Sequence, residues 1–387
     1  MTPRAYSAWV VGGVIAALTP VLVLNLLLIG NDYHFDKNRL ASAWQQETRG
    51  ITYAPPISRN RAFKTLRLND RISEINTIVF GSSTAMSLTA DAMPAGLRTY
   101  NFAQSGNSLL SVIGEAHYVL DQWNGRLRLL VIPLDWSLGF VYQPGRAPAA
   151  DLSAGGVATA AAPPLGAQIR DAMSWPRIRD LALVLRDIAR SPSPVVAVRR
   201  FFSEPAGAPY RCADGLLARD FDTLFRGQCV GFRDDGSATF ADQKRVTAGT
   251  AAALLAQSSS ASSQYAAVLA VADNGPAPEI LLQLAELAAK ARAHKTEVLF
   301  YMPPLLPGLD VRLAASGHSG ERLQKTKSAL EAWARQHRIR LVDAGSSERF
   351  GCTVTEFIDA HHALPGCYRK VMTRIFADDP LPNGSGK

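Results

Sequence analysis

Two short stretches far apart in the chain hold residues that could do acyl chemistry together. The first is Gly81-Ser82-Ser83-Thr84, directly after the apolar run TIVF at 77–80. A serine hydroxyl is a weak nucleophile at its own pKa and needs a base beside it. The second stretch, FIDAHHALPG at 357–366, offers an imidazole as that base. It also offers Asp359, three residues before His362, as the carboxylate that holds an imidazole in the working tautomer. Each stretch alone has a plainer alternative. A serine at a strand-to-helix turn commonly caps the helix, and an Asp/His loop can simply face solvent. The His361-His362 pair could belong to a metal site, but no companion Cys/His/Asp cluster accompanies it. Neither a metal nor another cofactor is expected.

The elements that would position these residues follow an α/β rhythm. Apolar runs at 77–80 (TIVF), 127–134 (LRLLVIPL), 297–302 (EVLFYM) and 339–342 (IRLV) read as buried strands. Helices are expected over 109–123, 279–293, 322–337 and 368–376. In the helix over 109–123, Leu109, Val112, Ile113, Ala116, Val119 and Leu120 share one side. Strands alternating with helices imply a parallel sheet covered on both faces. In such sheets ligands bind beyond the C-terminal strand ends, where Ser83 falls. The glycine before it permits a sharp turn, and a helix after it would aim backbone N–H groups at a developing oxyanion. Residues 31–75 read as a polar connector containing Pro55 and Pro56. The rhythm breaks over about 145–265, where Ala/Gly/Pro-rich 145–168, a helix near 177–190 and the Ser-rich 257–263 form an insertion. That insertion is either a lid or partner surface, or a passive elaboration. The C-terminal NGSGK is expected to be disordered.

Residues 8–29 (AWVVGGVIAALTPVLVLNLLLI) carry no charge. As a helix they are long enough for a hydrocarbon core of about 30 Å. Residues 1–30 are therefore read as an uncleaved transmembrane anchor. The rival is a signal peptide, whose apolar region is shorter and ends at small residues. Arg4 precedes the span and Lys37 and Arg39 follow it, so the flanking charges do not orient it. The cysteines bear on the compartment. Cys212 with Cys229 and Cys352 with Cys367 form two sequence-local pairs without C-x-x-C spacing, which suits disulfides in an oxidising space. Four unrelated buried thiols are the alternative. Together these features place the protein in the inner (cytoplasmic) membrane, single-pass, with a periplasmic main domain. The net charge of +8 comes from scattered Lys and Arg with no basic block, which argues against a nucleic-acid partner.

A serine in a G-x-S turn after the first strand, with D-x-x-H near the C-terminus, resembles the SGNH (GDSL-type) hydrolase superfamily. The closest resemblance is to its membrane-anchored cell-envelope branch of DltD-like and AlgJ/AlgX-like O-acetyltransferases. It covers about 75–140 and 290–378. It implies an α/β, flavodoxin-like three-layer fold with a parallel sheet over 76–380, interrupted by the insertion. By carry-over Ser83 is the nucleophile, and His362, not His361, is the base oriented by Asp359. Asn101 to Asn107 (NFAQSGN) resembles the block that supplies an oxyanion glycine, which falls on Gly106. A third block usually ends in an asparagine that donates to the oxyanion. Here Asp135 stands at that place, and an ionised carboxylate only accepts hydrogen bonds. Three alternatives stay open. Asn107 substitutes as donor, two backbone N–H groups suffice, or activity is weak or lost. Asp135 itself would then be structural or substrate-orienting. A Cys352–Cys367 bond would bracket Asp359 and His362 and restrain their loop.

The resemblance implies a serine-dependent O-acyl (O-acetyl) transferase or esterase acting on a cell-surface or exported polysaccharide. It further implies a multi-span membrane protein as acyl donor. A lipid esterase would differ only in its pocket. The alternative class is a non-catalytic binding or assembly subunit of a polysaccharide complex, suggested by Asp135 and the large insertion.

Overall fold

The computed structural model describes residues 2–32, 35–53, 61–123, 125–135, 165–196, 208–221, 227–240, 245–260, 262–263, 265 and 276–381. Helix α1 (Pro3–Asp32) holds an apolar stretch, Ala5–Leu26, whose 22 residues reach about 33 Å as a helix and so could cross a bilayer. Next come α2 (Phe35–Thr48), β1 (Ile51–Tyr53) and α3 (Arg61–Asp70). The main α/β unit follows with β2 (Thr77–Val79), β3 (Thr99–Asn101), α4 (Leu109–Gln122) and β4 (Leu129–Pro133). The mid-chain region contributes α5 (Leu165–Ala172), α6 (Trp175–Ala189), β5 (Tyr210–Arg211), β6 (Leu217–Asp220), β7 (Gly231–Phe232), β8 (Ala238–Thr239) and α7 (Ala248–Ser258). The unit then resumes with α8 (Pro278–Ala293), β9 (Glu297–Met302), α9 (Leu309–Ala314), α10 (His318–His337), β10 (Arg340–Asp343) and α11 (Pro365–Asp378).

Among the described residues five parallel strands form the main sheet, ordered β10-β9-β4-β2-β3. Numbered along the chain that order is 2-1-3-4-5 read from the β3 edge, the doubly wound arrangement with its switch point between β2 and β4. Ser83 follows β2 and Asp135 follows β4, so both stand at that switch point. Strands β2, β4 and all but the first residue of β9 are buried, which explains their near-continuous apolar runs. Strand β3 escapes the apolar pattern because its Thr99 and Asn101 are buried polar groups. The Asn101 amide donates to the carbonyls of Ala85, Met86 and Leu88.

The stretch read from sequence as a connector carries ordered structure. Strand β1 sits at the centre of a second sheet, β5-β6-β1-β7-β8, whose other strands all come from the insertion. Polar residues hide this role, because their partners are distant in sequence. Buried Gln45 donates to the Phe232 carbonyl, and buried Arg67 pairs with Asp234 at 2.8 Å. The turn after β7 docks in turn on the main sheet, the Asn101 N–H donating to the Asp235 carbonyl at 2.7 Å. Gly236 is required there, since its φ is +79° and an added Cβ would lie 2.3 Å from the Asn101 carbonyl. The Cys212–Cys229 disulfide closes within this second sheet region. Residues 136–164, including most of the Ala/Gly/Pro-rich run, and the NGSGK tail lie outside the described residues.

Candidate active site

Strand β2 gives way to Phe80 and Gly81. Gly81 turns the chain with φ +136°, and any Cβ there would meet Pro133 of β4 at 2.3 Å. Only glycine fits the close approach of the two strand ends. Ser82 then caps a single 3₁₀ turn, Ser83–Ala85, its hydroxyl accepting from the Thr84 N–H. The capping reading thus falls on Ser82, leaving the half-buried Ser83 hydroxyl for another partner.

That partner comes from the far end of the chain. Residues 357–363 form a tight loop, with Phe357 bridged to Ala363 and the Ile358 N–H donating to the His362 carbonyl at 3.1 Å. The Cys352–Cys367 disulfide brackets it. Three further bonds hold it: Leu306 N–H to the Ala360 carbonyl, Val246 N–H to the Phe357 carbonyl, and Leu364 N–H to the Glu356 carbonyl. The Tyr368 hydroxyl of α11 donates to the Thr84 carbonyl, tying this region to the Ser83 turn.

Ser83, His362 and Asp359 meet in one hydrogen-bonded chain. Ser83 Oγ lies 2.8 Å from His362 Nε2, across 279 residues of sequence, and His362 Nδ1 lies 2.6 Å from Asp359 Oδ2. An ionised carboxylate can only accept, so Nδ1 carries the ring proton and Nε2 is left to take the serine's. The other carboxylate oxygen accepts the backbone N–H groups of His361 and His362, each at 2.9 Å. Burial pushes the Asp359 pKa up, but the hydrogen bond and charge of His362, the charge of His361 and the backbone donor outweigh it. The net effect holds this carboxyl well below the usual range, so Asp359 is ionised at neutral pH.

His361 does not reach Ser83 in this way. Its ring lies against that of His362, centroids 4.2 Å apart, and its Nδ1 bonds the buried Tyr265 hydroxyl at 2.7 Å. Burial and the neighbouring His362 charge lower its pKa, opposed by Asp359 and Asp135, which favours the neutral ring. Ligand-capable atoms of Asp359, His361 and His362 lie within 4.8 Å of one another.

Asp135 stands beside the nucleophile turn. The Ser82 hydroxyl donates to its Oδ2 at 3.2 Å, which leaves Thr84 Oγ1 as donor in the 2.9 Å contact between the two hydroxyls. Asp135, Ser82, Gly81, Asn107 and Val112 line one small cleft. Asn107 is fixed from behind, its amide donating to Glu115 at 3.0 Å and its oxygen accepting from Arg61 at 3.2 Å. Arg61 and Glu115 pair at 2.8 Å. One amide hydrogen of Asn107 is therefore directed into the core. Burial pushes the Glu115 carboxyl up to about 7, against the opposing Arg61 charge. Buried Lys64, which donates to the carbonyls of Asn101 and Ala103, is pushed down to about 7. Gly106 is exposed in the following turn with φ +68°. That loop is tied to the nucleophile loop by the Gln104 N–H donating to the Gly81 carbonyl at 3.0 Å.

Sequence reasoning missed Tyr265, Arg61, Glu115 and Gln104. Glu115 had a readable signal, since it falls among the buried apolar positions of α4, where an acid demands a partner. Arg61 and Tyr265 had none, lying in stretches read as connector and insertion.

No family model matches the chain. No curated protein matches it either. Among solved structures, the extracellular lipase from Streptomyces rimosus is similar at 10% identity over 79% of this chain and 99% of the lipase, with a TM-score of 0.32. A likeness so slight carries nothing of the lipase's activity to this protein.

Proposed function

We propose that the protein is a serine-dependent O-acyl (O-acetyl) transferase or esterase of the SGNH type. In this reading α1 anchors it in the cytoplasmic membrane and the main domain works outside on a polysaccharide. The observation that carries the reading is the continuous Ser83–His362–Asp359 hydrogen-bond chain at the switch point of the parallel sheet. Ser83 Oγ attacks the acyl carbonyl while its proton passes to His362 Nε2, and Asp359 stabilises the resulting imidazolium. The N–H groups of Ser83 and Gly106 receive the oxyanion. On collapse the leaving oxygen takes the proton from His362, which leaves an acyl ester on Ser83. His362 then deprotonates water or a sugar hydroxyl, and attack on that ester releases Ser83. Hydrolysis and transfer differ only in this last acceptor.

Two disulfides support an oxidising compartment. Retention of α1 is supported by Asn25, which is buried against the folded chain and donates to the Ala172 carbonyl at 2.8 Å. The polysaccharide acceptor and a multi-span membrane acyl donor rest on the resemblance alone. Purified wild type should hydrolyse a chromogenic acetyl ester and take a fluorophosphonate label, and Ser83→Ala should lose both. Wild type without either, or an active Ser83→Ala, would sink the enzyme reading. Unchanged polymer acetylation in cells carrying Ser83→Ala would sink the transferase version alone. Asp135, a negative charge where an oxyanion donor is expected, favours a second reading: a non-catalytic assembly subunit. The same labelling experiment separates the two.

A further inference from the structure

Helices α5 and α6 present an apolar surface that the rest of the described protein leaves open, and it continues the surface of α1. Both helices pack on α1, and the described covered positions of its apolar stretch beyond Trp9 fall toward its C-terminal end. Every position from Trp9 to Pro20 is exposed, whereas Val21, Leu22, Leu24, Asn25 and Leu26 are partly or fully covered. Asn25 is the strongly polar residue of the span, and its amide donates to the carbonyl of Ala172, the last residue of α5. A helix-terminal carbonyl lacks an intrahelical partner. In hydrocarbon, both that carbonyl and the asparagine would be costly to leave unpaired. The bond pairs that carbonyl with the asparagine's amide N–H at the end of the span nearest the main domain, while the buried Asn25 Oδ1 has no partner among the described residues.

Away from α1 the pair is strongly amphipathic. On α6, Trp175, Ala182, Leu185 and Ala189 recur at helical spacing and all are exposed, Trp175 by 75% and Leu185 by 46%. Leu181 and Ile188 lie next to that stripe on the covered side. On α5, Leu165 and Ile169 are one turn apart and exposed. Exposed Arg170, Arg186 and Arg190 border these apolar positions, Arg186 one turn from both Ala182 and Ala189. A tryptophan at a helix start, an apolar stripe and arginines at its edge are the attributes of a helix lying in the headgroup–acyl boundary. A soluble surface scatters such residues singly, whereas here they adjoin an apolar span.

We propose that α5 and α6 lie in the outer leaflet beside the anchor, with Trp175 and Leu185 in the lipid. The proposal rests on the reading of α1 as a retained membrane span. It makes part of the insertion a second membrane contact that fixes the orientation of the main domain over the bilayer.

The test uses the full chain in vesicles of phosphatidylcholine and phosphatidylglycerol. All four native cysteines are bonded, so one added thiol carries an environment-sensitive fluorophore uniquely. Leu185→Cys is compared with Val14→Cys in the span and Glu331→Cys on α10. Nitroxide-bearing acyl chains should quench the labels at positions 185 and 14 strongly and leave the label at 331 bright. If position 14 is quenched and 185 is not, the anchor stands and this proposal falls. A blue shift at 185 without lipid quenching means protein covers the stripe, a second copy included, and also overturns it. If position 14 itself is not quenched, the anchor reading fails, and this proposal fails with it.

Discussion

Replacing Asp359 with asparagine changes almost no volume yet should disable the candidate site, and the local hydrogen bonds say why. Oδ1 faces two backbone donors, the N–H groups of His361 and His362 at 2.9 Å, while Oδ2 faces His362 Nδ1 at 2.6 Å. An asparagine has one oxygen, and the two backbone donors claim it, because an NH₂ placed there would oppose two N–H groups. The NH₂ must then turn to His362 Nδ1. It can only donate, so Nδ1 becomes the acceptor and the ring proton moves to Nε2. Nε2, 2.8 Å from Ser83 Oγ, would then donate to the hydroxyl it should deprotonate. A trapped wrong tautomer of this kind lowers kcat by roughly 10⁴-fold, or about 5 kcal/mol of transition-state stabilisation. The hydrogen-bond count is unchanged, but the fold favours the ionised carboxylate, so the neutral amide should lower the thermal midpoint while leaving the protein folded at assay temperature. The assay is hydrolysis of p-nitrophenyl acetate by wild type, Asp359→Asn and Ser83→Ala, with circular-dichroism melts alongside. A folded Asp359→Asn protein retaining more than about a tenth of wild-type kcat would refute the tautomer argument.

Other perturbations bear on the surrounding groups. Asp135→Asn keeps an oxygen to accept from Ser82, removes a negative charge and adds a donor; kcat/KM for the acetyl ester should rise about 10-fold or more, and an unchanged or lower value would show that Asp135 is no misplaced oxyanion group. Replacing Cys352 and Cys367 together by alanine opens a loop of 15 residues and should lower unfolding free energy by about 3 kcal/mol in urea titrations, with kcat falling as the His362 loop loosens. Glu115 has its folded pKa raised from 4.5 to about 7, so over that window the unfolded state binds fewer protons and stability falls as pH rises. Glu115→Gln should remove that decline, worth up to about 3 kcal/mol, from denaturant midpoints measured across pH 4.5 to 7.

What the sequence determined by itself was everything whose physical signal is local. Three of the main-sheet strands, β2, β4 and β9, are near-continuous apolar runs because the sheet is covered on both faces there. The long uncharged stretch becomes one helix, and both cysteine pairs close as spaced. Ser83 was legible from the Gly-Ser turn after a strand, and Asp359 with His362 from their spacing on one loop. Tertiary structure alone decided what depends on distant partners. It brought Ser83 to His362 over 279 residues and placed Asp135 on Ser82 across 53. It also set the Arg61–Glu115 pair behind Asn107, and Tyr265 on His361. Strand β3 and the whole second sheet were hidden for the same reason. Their strands are two to four residues long, and buried groups such as Asn101, Lys64 and Arg67 look like surface residues until their partners are known. Apolar periodicity reports burial only for residues that water alone drives inside. A polar group is driven inside by the bond waiting for it there, and no local pattern encodes a bond whose other half lies 167 residues away, as Asp234 does from Arg67.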